Sequence, residues 1–171
     1  VVAWGCDKQS WSVCYRVYPG DTSKDECWDE MFKILDEHFE CEDGSRMPVR
    51  MLAVDTGYNT QEVYNRVRKY PRNRVIAVKG RDNLHVVLGL PSAVDVGTHG
   101  RKLSRGIRVW PVGTSVVKSE LYGWLRLSVP TEEGAQHPAG FCHFPQYDAE
   151  YFKMLTAEEV RIRRTKGGGL R

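Results

Sequence analysis

The residues of this chain best suited to chemistry lie in one stretch, from Val49 to Lys79. A largely apolar run over 49–54 ends at Asp55-Thr56-Gly57, and a second over 75–78 ends at Lys79-Gly80. The carboxyl ends of strands are where open α/β sheets bind ligands and substrates, so Asp55 stands where a metal-binding or catalytic carboxylate belongs. Asp55 and Lys79 would sit at two such ends, one crossover apart, where their side chains can converge. A lone carboxylate does little. A pair or triad holds one or two Mg²⁺ or Mn²⁺ ions, which activate water and stabilise a phosphoryl transition state. Without companions, Asp55 is only a turn residue in an α/β domain.

The flanking elements follow from period and punctuation. Over 10–18, Trp11, Val13, Tyr15 and Val17 alternate with polar or small residues, which predicts a strand paired with one over 1–4. Thr22 with Asp25 three residues on predicts a capped helix, with Trp28, Met31, Phe32, Leu35 and Phe39 on its inner stripe. The run over 49–54 reads as a strand covered on both faces. Thr60 is expected to cap a short helix carrying Val63, Val67 and Tyr70 inward, which Pro71 ends. Residues 82–106 read as an irregular excursion and 107–112 as a strand. A helix starts at Thr114 or Ser115 and reaches about Trp124, and a last helix starts at Asp148 and reaches about Val160. This alternation predicts an α/β fold with a mixed sheet and a parallel crossover.

Composition bounds the function class. At 171 residues, with 41% hydrophobic and 27% charged, the chain reads as one globular domain. No apolar run approaches the ~20 residues that span a bilayer. The opening Val1-Val2-Ala3-Trp4 has no basic leader and reads as mid-strand, so the chain is expected to be a piece of a longer protein. Its five cysteines are irregularly spaced with no Cys-x-x-Cys pair, which argues against a zinc site and for buried free thiols in a reducing compartment. The net charge of +3 conceals a segment over 21–43 with ten acidic and two basic residues. The remainder carries +11, clustered over 66–81, 101–108 and 161–171. That asymmetry favours a polyanionic partner.

The residues around Asp55 carry a more specific signal. The run Ala53-Val54-Asp55-Thr56-Gly57-Tyr58-Asn59-Thr60-Gln61-Glu62-Val63-Tyr64 resembles the nuclease domain of the large terminase subunit of lambda-like tailed bacteriophages. So, in order, do Arg74-Val75-Ile76-Ala77-Val78-Lys79-Gly80, Trp110-Pro111-Val112-Gly113-Thr114, and Lys118 with Leu121-Tyr122-Gly123-Trp124-Leu125-Arg126. His143-Phe144-Pro145 and the run from Glu150 to Glu158 complete a collinear match over roughly residues 1–164. Asp-Thr-Gly is also the aspartic-protease triplet, but those proteins are all-β, and a helix follows Asp55 here.

The resemblance implies a ribonuclease-H-like mixed sheet flanked by helices. It further implies a metal-dependent endodeoxyribonuclease that cuts concatemeric phage DNA during genome packaging. In that family a cluster of acids binds two divalent ions, Mg²⁺ or Mn²⁺, and Asp55 matches the acid at the end of the central strand. The family's first acid would lie upstream of Val1 and its last downstream of Arg171. Residues 1–171 are therefore expected to be a terminase nuclease domain truncated at both ends, binding metal weakly, with the ATPase domain absent. Double-stranded DNA, the small terminase subunit and the portal are the implied partners, in the host cytoplasm and away from membranes.

Other residues have narrower roles. Lys79, Lys118, Arg161, Arg163 and Arg164 are candidates for DNA-backbone contacts, which are salt-dependent and sequence-independent. His143, Asp148 and Glu150 are lower-ranking site candidates; packing, helix capping and dipole compensation are the competing accounts. The alternative function is a non-catalytic DNA-binding or docking module on the same scaffold.

Overall fold

The computed structural model describes residues 1–95, 106–132 and 134–158. The DNA-contact candidates Arg161, Arg163 and Arg164 lie outside the described residues, as does the expected end of the last helix near Val160. The chain opens with an antiparallel hairpin, β1 (Val2–Trp4) and β2 (Ser10–Ser12). Helix α1 (Glu26–Phe32) tightens into a 3₁₀ turn, Lys33–Asp36, before a two-stranded ribbon, β3 (His38–Glu40) and β4 (Arg46–Pro48). Then come β5 (Leu52–Asp55), α2 (Thr60–Val67), β6 (Val75–Arg81), β7 (Ser92–Ala93) and β8 (Arg108–Gly113). Helix α3 (Thr114–Trp124), β9 (Cys142–His143) and α4 (Ala149–Leu155) follow.

The fold is α/β. Its centre is a four-stranded sheet in the order β5-β6-β8-β7, with β5, β6 and β8 parallel and only β7 antiparallel. Parallel neighbours cannot be joined by a tight turn, and α2 supplies the crossover from β5 to β6. One face of the sheet holds the core. Val54, Val75, Ala77 and Val109 pack there against Trp28, Phe32 and Leu35 and against Val63 and Val67 of α2.

The expected mixed sheet and its parallel crossover are present, but the hairpin is not part of that sheet. Among the described residues the hairpin belongs to a separate sheet, β1-β2-β9, in which β9 runs parallel to β2. The strand expected over 10–18 is also shorter. Val13 and Cys14 bond only to Val1, at the start of β1, and the ladder ends there. Nor is β5 covered on both faces: Val54 is buried whereas Ala53 and Asp55 are exposed.

Helix α1 begins four residues later than Thr22. Asp25, expected to complete the capping box, instead ion-pairs with the buried Arg66 of α2, while the Thr22 carbonyl accepts the Trp28 indole N–H at 2.9 Å. Phe39 lies in β3 rather than on the helix, because the 3₁₀ turn ends the helical run at Asp36. Thr60 is not the cap of α2; Asn59 is, in the left-handed region at φ 48°, a conformation asparagine tolerates. The Thr60 hydroxyl donates to the Thr56 carbonyl at 2.7 Å. The cysteines are free, as expected, but Cys6 is exposed and the others only half-buried.

Candidate functional site

Asp55 is the last residue of β5, and its side chain is exposed. Its Oδ2 accepts the Gly57 amide at 3.0 Å, closing a turn that a side chain at Gly57 would obstruct: a Cβ there would lie 2.8 Å from the same oxygen. Thr56, fully buried, donates through both its amide and its hydroxyl to the Val78 carbonyl, each at 2.9 Å. The carboxylate therefore projects from a backbone that is pinned to the neighbouring strand.

Lys79 is brought near Asp55 in register but not in direction. Asp55 pairs with Val78, so Lys79 lies one step further along β6, which continues to Arg81. Side chains alternate along a strand, and paired residues share a face. Val75, Ala77 and Lys79 thus belong to the core face with α2, and Val78 shares the opposite face with Asp55. The expected convergence of Asp55 and Lys79 is corrected by this alternation.

The face that Asp55 shares carries other groups. Gly80 and Asp82 follow Val78 at a spacing of two. A Cβ at Gly80 would meet the Thr114 methyl at 2.7 Å, so the start of α3 lies over this face. Thr114 donates its hydroxyl to Asp82 at 2.6 Å. Further along α3, Lys118 ion-pairs with Glu158, which raises the Lys118 pKa, and Tyr122 donates to the Glu158 carbonyl at 3.1 Å. Asp82 was missed because Gly80 reads as a strand breaker; the spacing of Val78, Gly80 and Asp82 was the available signal. Four residues beyond Val78, Asp82 stands ~13 Å along the strand from the level of Asp55. That is too far for both acids to ligate one ion through bonds of ~2–2.6 Å.

The remaining candidates have local partners. His143 lies in β9, its Nε2 3.1 Å from Gln9 Oε1, and its ring stacks on Trp11 at 4.6 Å. Burial, and then neighbouring His137, lower its pKa. Asp148 caps α4, its carboxylate accepting the Tyr151 amide at 2.8 Å, and Glu150 lies 3.6 Å from Lys153 on the same helix. None of these contacts reaches the Asp55 sheet. Among the described residues no group of three or more His, Cys, Asp or Glu side chains is arranged to hold a metal ion.

Residues 1–170 match the family described as terminase large subunit gpA, endonuclease domain. The chain belongs to that family. No curated protein and no solved structure matches it. Membership in the terminase endonuclease family carries a nuclease role in DNA packaging, with DNA as substrate and packaging machinery as partners. Among the described residues of this family member, no helix is long and apolar enough to cross a membrane.

Proposed function

We propose that this chain is a divalent-metal-dependent endonuclease domain with a ribonuclease-H-like scaffold, cutting concatemeric double-stranded viral DNA during genome packaging. The observation that carries the reading is Asp55: an exposed carboxylate at the carboxyl end of a parallel strand, backed by a buried threonine locked to the next strand. Asp55 fits as one ligand of Mg²⁺ or Mn²⁺, since Mg²⁺ is commonly held by one or two carboxylates with water and substrate phosphates filling the other positions. When bound, the ion would lower the pKa of a water and neutralise phosphoryl charge. Asp55 supplies one anionic donor from a fixed backbone. Lys79 and Lys118, with Arg161, Arg163 and Arg164, supply positive charge for the DNA backbone. His143, Asp148 and Glu150 are left to packing, capping and intrahelical pairing. The small terminase subunit and the portal are the proposed partners, the host cytoplasm the place of action, and a separate ATPase domain the motor.

The experiment is plasmid cleavage by the full natural protein with Mg²⁺ or Mn²⁺. Asp55→Ala is expected to reduce cleavage at least 100-fold with the circular dichroism spectrum unchanged; full activity in that variant would sink the proposal. A second reading, a non-catalytic DNA-docking module, is favoured by one observation: Asp55 has no cluster of acids around it among the described residues. DNA binding without any metal-dependent cleavage, in the full protein, would select it.

A further inference from the structure

Three arginines converge on a small pocket that the nuclease reading leaves unused. It lies at the amino ends of β6 and β8, whereas Asp55 closes the carboxyl end of β5. Pairing of β6 with β8 begins at Ala77 and Val109. Ahead of that point, Val75 and Ile76 on one strand and Ile107 and Arg108 on the other border a space of about 250 Å³. Its floor is core: Val75 is 1% exposed and Ile107 7%. Tyr70 and Trp110, both half-buried, add two rings to the lining.

The rim is cationic. Arg68, Arg72 and Arg108 all line the pocket and are exposed, and no acidic side chain lines it. Arg68 is held by Asp95 at 2.9 Å, and Arg72 donates to the Gly106 carbonyl at 2.7 Å, so both guanidiniums are oriented. The Arg108 side chain makes no ion pair or hydrogen bond among the described residues.

Charge and shape together define what fits. The guanidiniums call for an anion. A phosphate backbone meets that demand on any open surface and would leave the apolar floor uncovered. The space is also below the ~300–1,000 Å³ of sites that enclose a whole small ligand. A protein segment satisfies both halves: one large apolar side chain covers the floor, and carboxylates beside it meet the arginines as planar, bidentate partners. Arginine and aromatic residues are the commonest anchors of protein interfaces, and arginine clusters are recurring readers of acidic motifs.

We propose that this pocket docks an acidic peptide of a partner protein, with an apolar side chain against Tyr70 and Trp110 and flanking carboxylates on Arg68, Arg72 and Arg108. Arg108 supplies the uncompensated charge, and Arg68 exchanges part of its contact with Asp95 for the incoming carboxylate. The site needs neither metal nor DNA, so it stands whether or not Asp55 is catalytic.

Fluorescence anisotropy on the full natural protein, metal-free and at ~0.15 M salt to screen long-range attraction, tests it. The probe is the labelled peptide Asp-Glu-Asp-Leu-Phe-Asp-Glu-Asp, and in the control peptide Ser-Ser replaces Leu-Phe. The probe is expected to bind saturably and at least tenfold more tightly than the control. Arg108→Glu should weaken the probe at least tenfold, and Lys153→Glu, an equal charge reversal on α4, less than about twofold. No saturable binding, equal affinity for the two peptides, or equal losses in the two variants would each overturn the proposal. Binding of a DNA duplex to the same variants separates the other polyanion. Arg108→Glu should change duplex affinity less than about threefold; a loss as large as the probe's would mark the pocket as DNA surface and overturn the peptide reading. If Arg108→Glu unfolds, the Trp110 indole N–H resonance of the unmodified protein, assigned with Trp110→Phe, decides the matter. A shift that saturates with the probe and not with the control supports the site; an unmoved resonance overturns it.

Discussion

The Thr56 hydroxyl donates to the Val78 carbonyl at 2.9 Å, tying the residue after Asp55 to the residue before Lys79. The same carbonyl accepts the Thr56 amide, and Thr56 is 0% exposed. One buried side chain thus sets the height at which the Asp55 carboxylate leaves the sheet.

Thr56→Val keeps the shape of the side chain and removes its hydroxyl. The Val78 carbonyl retains the amide bond, so no buried acceptor is orphaned and the loss is that of one net hydrogen bond, about 1 kcal/mol. Urea unfolding of the variant should show its midpoint lowered accordingly with an unchanged slope; an unchanged midpoint would mean the hydroxyl contributes nothing.

Lys79→Ala and Lys118→Ala should weaken DNA binding equally for duplexes of unrelated sequence. Each should lower the slope of log affinity against log salt by about 1. Lys118 is held by Glu158, so its substitution should have the smaller effect, and Glu158→Gln should tighten binding by releasing it. Fluorescence anisotropy over about 50–200 mM salt reads all three.

Arg66 is 7% exposed and is met by Asp25, and by Glu62 at 3.4 Å. Removing both acids strands a buried guanidinium and should cost about 3–5 kcal/mol. Arg66→Met should cost only about 1 kcal/mol, because the carboxylates it leaves behind are 64% and 30% exposed and can hydrate. Thermal or urea unfolding in this order of severity checks the pair; the reverse order would contradict it.

Burial and the neighbouring His137 hold the His143 pKa below its ordinary value of 6.5, so the folded state keeps the ring neutral. The unfolded chain takes up a proton as the pH falls through about 6.5, before the folded state does. The stability carried by neutral His143 is therefore complete above that pH and lost as the pH falls towards the lower, folded-state value. His143→Phe keeps the stack on Trp11 and removes the titration. Between about pH 7 and pH 5 its urea midpoint should fall less than that of the wild type.

Much of the central sheet was legible in sequence. The apolar runs that became β5, β6 and β8 stood out, as did Pro71 after α2 and Asp148 as the cap of α4. Local signals sufficed because each element is defined by residues adjacent in the chain. The capping box at Thr22 failed for the opposite reason: Asp25 found a better partner in Arg66, on a helix far along the chain. Lys79 was misplaced because β6 extends past β5, and only strand pairing reveals that.

The sequence by itself determined that an acidic residue closes an apolar strand at Asp55, that positive charge gathers away from an acidic segment, and that the motifs from Asp55 to Glu158 are those of a terminase nuclease. Periodicity and residue type are local properties, readable without partners. Only the tertiary structure decided that Asp55 and Lys79 leave opposite faces of the sheet, that Asp82 and α3 share the Asp55 face, and that the β1-β2 hairpin pairs with β9 in a sheet of its own. Face, register and sheet membership arise from hydrogen bonds between residues distant in the chain, and no local pattern encodes them.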